Sequence, residues 1–304
     1  MLEVAVIALR WLQYSGAVVL LGAPLFLLYS FRGGVAPNLA WARPTLIVAA
    51  IVVALGSLAA LVAQTAVMAG SLSEALKPAS LSFMVTGTAL GLAMVARAVV
   101  AVLALVAVVA LKSGRALWCV TATAGLVVAA SFAWTGHAGA TEGPGGPLHL
   151  AADIAHAVAA ALWLGALGAL TILLMRRTSP EDLAIHRALH GFAGLGTLAV
   201  VLLVLTGLVN SWFLVGPARV GDLGASLYGR LLIAKLILFG AMLALAASNR
   251  FRLTPALGAA LHTAAPSSAA MGDLRRSLLL ETGLGLALLA VVAAMGTLQP
   301  PASL

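Results

Sequence analysis

Eight runs of strongly apolar residues dominate this chain, each close to the roughly 20 residues a helix needs to cross a bilayer. They lie near 4–30, 44–69, 83–111, 116–135, 148–174, 188–214, 229–248 and 277–297. Inside lipid, backbone polar groups must be paired within the protein, so only helices and closed barrels span it. These runs lack the period-two alternation of barrel strands and are too long for them. Composition agrees: 62% of the 304 residues are hydrophobic and 9% charged, against about 25% charged in soluble domains. The expected fold is an all-α polytopic membrane protein with eight transmembrane helices. No Pro- or Ser-rich linker divides it, which predicts a single domain over 1–304. The first run has no basic leader before it and reads as a retained helix, not a removed signal.

Orientation follows from the basic residues. Arg32, Arg43, Lys112, Arg115, Arg176, Arg177, Arg187, Arg250, Arg252, Arg275 and Arg276 follow runs 1, 3, 5 and 7; only Lys77, Arg219 and Arg230 occupy the other loops. Cytoplasmic loops carry the excess of Lys and Arg, so the first set is expected inside, with both termini on the periplasmic or external side. The net charge of +8 is spread through short loops instead of forming one basic face, so nucleic acid is not the expected partner. There is no Walker sequence to drive ATP-dependent pumping. The one cysteine, Cys119, excludes an internal disulfide and any CxxC site.

Against this apolar background the fifth run, HLAADIAHAVAAALWLG, carries His149, Asp153 and His156. At about 100° per residue the three fall within about 60° of one helix face, and His156 lies about 10 Å deeper than His149. His137 ends the fourth run, across the short loop GHAGATEGPGGP. Ionisable groups within a membrane are costly and usually face a protein interior or a wet cavity. Asp153 is placed to orient His156, so that the other ring nitrogen faces a metal. By this topology Met68, Met84 and Met295, with Met1, sit at the same outer level. Thioether plus imidazole is a soft donor set suited to copper, above all Cu(I). Interfacial capping for the histidines and gap-filling for the methionines are the competing structural readings. Arg10, Gln13, Gln64, Asn210 and Lys235 also fall in the outer half, and Lys235 or Arg10 is placed to pair with Asp153. Arg97 and Glu281 are candidates for an ion pair, although Arg10 and Arg97 read better as glue between helices than as transport chemistry. Together these residues predict an outward-open vestibule with a metal site, His137, His149, His156, Asp153, Met68, Met84 and Met295, at its base.

The ordered motifs resemble the copper resistance D (CopD/PcoD) family of bacterial inner-membrane proteins. They are ALRWLQYSGAVVLLGAPLF, TGTALGLAMVARA, GHA, HLAADIAHAVAAALWLGALGAL, YGRLLIAKLILFGAMLALAASNRFRLTPAL and LRRSLLLETGLGLALLAVVAAMGTLQPPA. The resemblance covers nearly the whole chain. It implies an eight-helix plasma-membrane protein of copper uptake or homeostasis, not an enzyme, with copper ion as its ligand and a separate periplasmic CopC-type carrier as partner. It also carries His137, His149 and His156 over as metal candidates, with Asp153 in support. A competing reading is a membrane redox protein, either a copper oxidoreductase or one with a b-type haem held by two facing histidines.

Overall fold

The computed structural model describes residues 2–31, 38–176, 182–262 and 268–303; Met1, Arg32 and Arg177 lie outside them. The elements are α1 (Leu2–Ser30), α2 (Ala42–Ala69), α3 (Leu72–Ala75), α4 (Pro78–Gly87), α5 (Ala89–Ala110), α6 (Arg115–Ser131), α7 (Gly146–Arg176), α8 (Asp182–Leu214), α9 (Leu227–Ser248), α10 (Thr254–His262) and α11 (Ser268–Met295). There is no strand among the described residues. Eight helices there are long and apolar enough to span a bilayer. Large apolar side chains coat the outside, among them Leu55, Val106, Leu205 and Ile237. Such a surface suits hydrocarbon and would aggregate in water. The chain is a multi-pass membrane protein.

α1 runs through the middle of the bundle against α2, α6 and α7. Lipid offers no hydrophobic drive for helices to associate, so close van der Waals fit between small residues takes over. Gly22 and Gly165 form such a crossing: a Cβ on Gly22 would lie 2.4 Å from the Ala161 carbonyl oxygen and 2.6 Å from the Gly165 Cα. One apolar cluster draws on α1 (Leu20, Phe26), α2 (Leu46, Val53), α5 (Val108), α6 (Leu117), α7 (Trp163, Leu167), α8 (Ile185), α9 (Met242), α10 (Leu257) and α11 (Leu278). Polar staples reinforce it. Arg43 donates to the Val108 and Leu111 carbonyls at the end of α5, and Trp11 Nε1 donates to the Leu286 carbonyl of α11 at 3.0 Å.

The third apolar run differs from its expected form. The predicted single helix over 83–111 is broken at Thr88, which is extended (φ −132°, ψ 139°) and caps α5 by accepting the Gly91 N–H at 2.9 Å. Gly91 is required there, because a Cβ would meet the Met84 carbonyl oxygen at 2.1 Å. The eighth helix starts at Ser268, nine residues before its apolar run, since the polar turns around Asp273, Arg275 and Arg276 stay helical beyond the hydrophobic stretch. α9 continues through a π turn at Asn249–Leu253 into α10.

Candidate metal centre

α7 follows the Pro144–Gly145 turn, and its first turns place His149, Asp153 and His156 on one wall of a cavity of about 200 Å³. α6 ends in a 3₁₀ turn at Phe132–Thr135 that folds the chain back, so His137 reaches the same cavity. α8 contributes Asn210, α9 contributes Tyr228 and Lys235, and α11 contributes Met295. The cavity sits at the bundle end that holds the 136–146 loop.

Each histidine has one ring nitrogen engaged by the protein. His137 Nε2 donates to the Leu298 carbonyl at 2.9 Å, and a carbonyl can only accept, so its Nδ1 keeps the lone pair. His156 Nδ1 lies 2.9 Å from Thr206 Oγ1, whose single proton goes to the Leu202 carbonyl at 2.5 Å. The imidazole must therefore donate from Nδ1, leaving Nε2 unprotonated. His149 Nδ1 lies 2.7 Å from Thr141 Oγ1, which also lies 3.1 Å from the His137 carbonyl; this contact orients the ring, and the single hydroxyl proton can serve either neighbour. His149 is also stacked on Phe213, ring centroids 4.7 Å apart. Metal-binding histidines are commonly held this way, with the second nitrogen hydrogen-bonded so that tautomer and ring orientation are set.

Several expected contacts are replaced. Asp153 is not the partner of His156: Thr206 holds the imidazole, and Asp153 Oδ1 accepts from Asn210 Nδ2 at 3.2 Å. Arg10 does not pair with Asp153, because its guanidinium donates to the Thr135 and Gly296 carbonyls at 2.7 and 2.9 Å and so ties α1 to the ends of α6 and α11. Lys235 shares the cavity wall with Asp153, but the only ion pair within 4 Å among the described residues is Lys77–Glu74. Arg97 and Glu281 do not meet either. Arg97 donates to Ser131, Gln13 and Thr135, and Glu281 accepts from Asn249 Nδ2 at 2.8 Å.

Of the three methionines, only Met295 lines the cavity; it is 6% exposed. Met84 is buried in a separate cluster with Ala60, Leu61 and Met94, and its Sδ lies 3.4 Å from the Thr88 hydroxyl. Met68 is 58% exposed at the end of α2. Cys119 is exposed on α6. Among the described residues no three His, Cys, Asp or Glu side chains are gathered closely enough to hold one ion together. The donors are spread over the cavity wall. One further oxygen belongs with them: Asn210 Oδ1 is buried and has no hydrogen-bond partner, an acceptor that a guest in the cavity would satisfy. Thr206 carries no sequence signal for this role, because a threonine in an apolar helix more often just bonds its own backbone.

Comparison with known proteins gives this arrangement a family. A copper resistance protein D-like N-terminal domain matches residues 1–147, and the copper resistance protein D family matches residues 186–295. The chain is 37% identical over 303 residues to copper resistance protein D of Pseudomonas syringae pv. tomato, covering 97% of this chain and 96% of that protein. The chain belongs to the copper resistance protein D family. Two more distant relatives are inner membrane protein YebZ of Escherichia coli, 29% identical over 55% of each chain, and copper transport protein CutJ of Bacillus subtilis, 26% identical over 58% of this chain and 29% of that one. No solved structure matches. Membership ties this membrane protein to copper handling, and the histidine-lined cavity lies where the two matched regions meet α7.

Proposed function

We propose that this protein moves copper across the bacterial plasma membrane, and that the cavity is its external-side binding site. The observation that carries the reading is the set of three imidazoles lining one cavity, each with one ring nitrogen anchored by the protein. His137 and His149 accept copper at the mouth, from a separate periplasmic carrier of the CopC type. His156, two turns deeper on α7, holds it next, with Asp153 and Met295 completing a mixed nitrogen, oxygen and sulfur donor set. The spread of the donors suits handover from one to the next. Lys235, on the same wall, opposes a tightly held cation, which suits a site that must release its cargo. Met68 and Met84 are outside this proposed set.

The distribution of basic residues supports the orientation, with the cavity and both termini outside. The name of the Escherichia coli relative supports the inner membrane as the location. We read the chain as one domain, since a single apolar cluster draws on all eight spanning helices, and its role as binding and transfer, not catalysis. The test is copper flux into proteoliposomes holding the purified protein. Uptake well above protein-free vesicles, abolished by His156→Ala in a protein that still folds, is expected. Flux equal in native and variant vesicles would refute the assignment.

A further inference from the structure

A second cavity, of about 190 Å³, lies beside the first and shares Arg10 and His137 with it. Its other polar lining comes from Gln13, Gln64, Arg97 and Thr135, and no Asp or Glu lines it. Two guanidinium groups therefore border one small chamber within the membrane-spanning bundle with no carboxylate beside them.

Neither guanidinium is neutralised. Arg97 is 2% exposed. Its Nε donates to Ser131 Oγ at 2.8 Å, its Nη1 to Gln13 Oε1 at 2.9 Å, and its Nη2 to the Ser131 carbonyl and Thr135 Oγ1, both at 3.1 Å. Its planar face lies 3.8 Å from the centroid of the Phe132 ring. Arg10 donates to Tyr14 Oη at 3.4 Å and to the Gly296 and Thr135 carbonyls. Every one of these acceptors is neutral. An arginine has five N–H donors, so Arg97 keeps one and Arg10 two beyond those bonds. The Gln64 amide, also on the wall, has no hydrogen-bond partner among the described residues. Buried charges are normally paired or bound to a counter-ion, since removing an isolated one from water is costly.

We propose that this chamber binds a small inorganic anion, held between Arg10 and Arg97 with the Gln64 amide as a further donor. The chamber asks for a compact monovalent ion such as chloride or nitrate: it is small, and α1, α2 and α5 each bring a donor side chain to its lining. The bound anion offsets part of the positive charge that Arg10, Arg97 and Lys235 present around the neighbouring copper cavity, where Asp153 is the one carboxylate. The anion site stands independently of the copper reading, and its test uses copper-free protein.

The experiment is equilibrium dialysis of the purified, copper-free full chain in uncharged detergent against radiolabelled chloride. Thermal unfolding in chloride, nitrate and gluconate at constant ionic strength accompanies it. Saturable binding of about one chloride per chain, with a melting temperature that rises in chloride and nitrate over gluconate, is expected from ligand linkage. Arg97→Gln removes the charge and keeps a polar amide; chloride binding is lost while the variant still melts cooperatively in gluconate. Gln64→Leu, which disturbs no hydrogen bond, guards against an Arg97 variant that fails to fold. It is expected to weaken chloride binding about tenfold, the effect of one lost hydrogen bond to a charged acceptor. No saturable binding in the native chain, or native-like binding by either folded variant, overturns the proposal.

Discussion

Replacing Thr206 with valine tests the link between buried hydrogen bonds and copper. Valine keeps the shape and removes the oxygen that accepts from His156 Nδ1 at 2.9 Å. A buried N–H left without an acceptor costs about 1–3 kcal/mol. The imidazole then turns fully to the Leu203 carbonyl or moves its proton to Nε2, and either change displaces the lone pair proposed to face copper. Loss of such a supporting contact typically lowers metal affinity about 10–100-fold, or about 1.4–2.7 kcal/mol. The assay is Cu(I) affinity in detergent, by competition with a chromophoric chelator, beside a thermal melt showing that the variant is folded. Thr121→Val is the matched comparison: the Thr121 hydroxyl bonds only the Leu117 and Trp118 carbonyls of its own helix, away from the cavity, so that variant loses a buried hydroxyl and leaves the imidazole in place. Thr206→Val is expected to bind copper more weakly than Thr121→Val. Native affinity in folded Thr206→Val would refute the tautomer argument.

Other consequences are checked on the same purified protein. Gly165→Leu drives a side chain into the α1 backbone, where even a Cβ would lie 2.3 Å from the Val18 carbonyl oxygen; a loss of more than about 3 kcal/mol or a failure to assemble is expected, read as monodispersity and melting temperature. Asn249→Leu takes from buried Glu281 the amide that donates to its carboxylate at 2.8 Å and is expected to cost about 1–3 kcal/mol; Glu281→Gln added to it should recover part of that loss in the same melt. Reporter fusions after Ser113 and Glu142 are expected to report the cytoplasm and the exterior respectively; the reverse pattern would invert the proposed orientation.

The sequence made depth legible far better than azimuth. Apolar run length located all eight spans, because the bilayer dictates that length. The α7 stripe was readable because 100° per residue fixes which side chains share a face of one helix. The short 138–146 connection made it plain that His137 would lie near His149. Position around the bundle is another matter. Met68, Met84 and Met295 share a level, yet they point to the surface, to a separate apolar cluster and to the cavity wall. Charge alone pairs Arg97 with Glu281, whereas neutral Gln13, Ser131 and Asn249 take those roles. Amides and hydroxyls in apolar helices carry little sequence signal, so the residues that anchor the imidazoles emerge only once the helices are packed. The break at Thr88 is silent in the sequence for a related reason: apolar residues continue on both sides, and only the cap to Gly91 separates α4 from α5.

The most direct measurement is the copper content and visible absorbance of the purified protein after copper loading, beside the His149→Ala/His156→Ala double variant. The account predicts copper retained by the native chain, lost from a folded variant, and no Soret band in either. A native chain that retains no copper, a variant that retains as much, or a haem spectrum would contradict it.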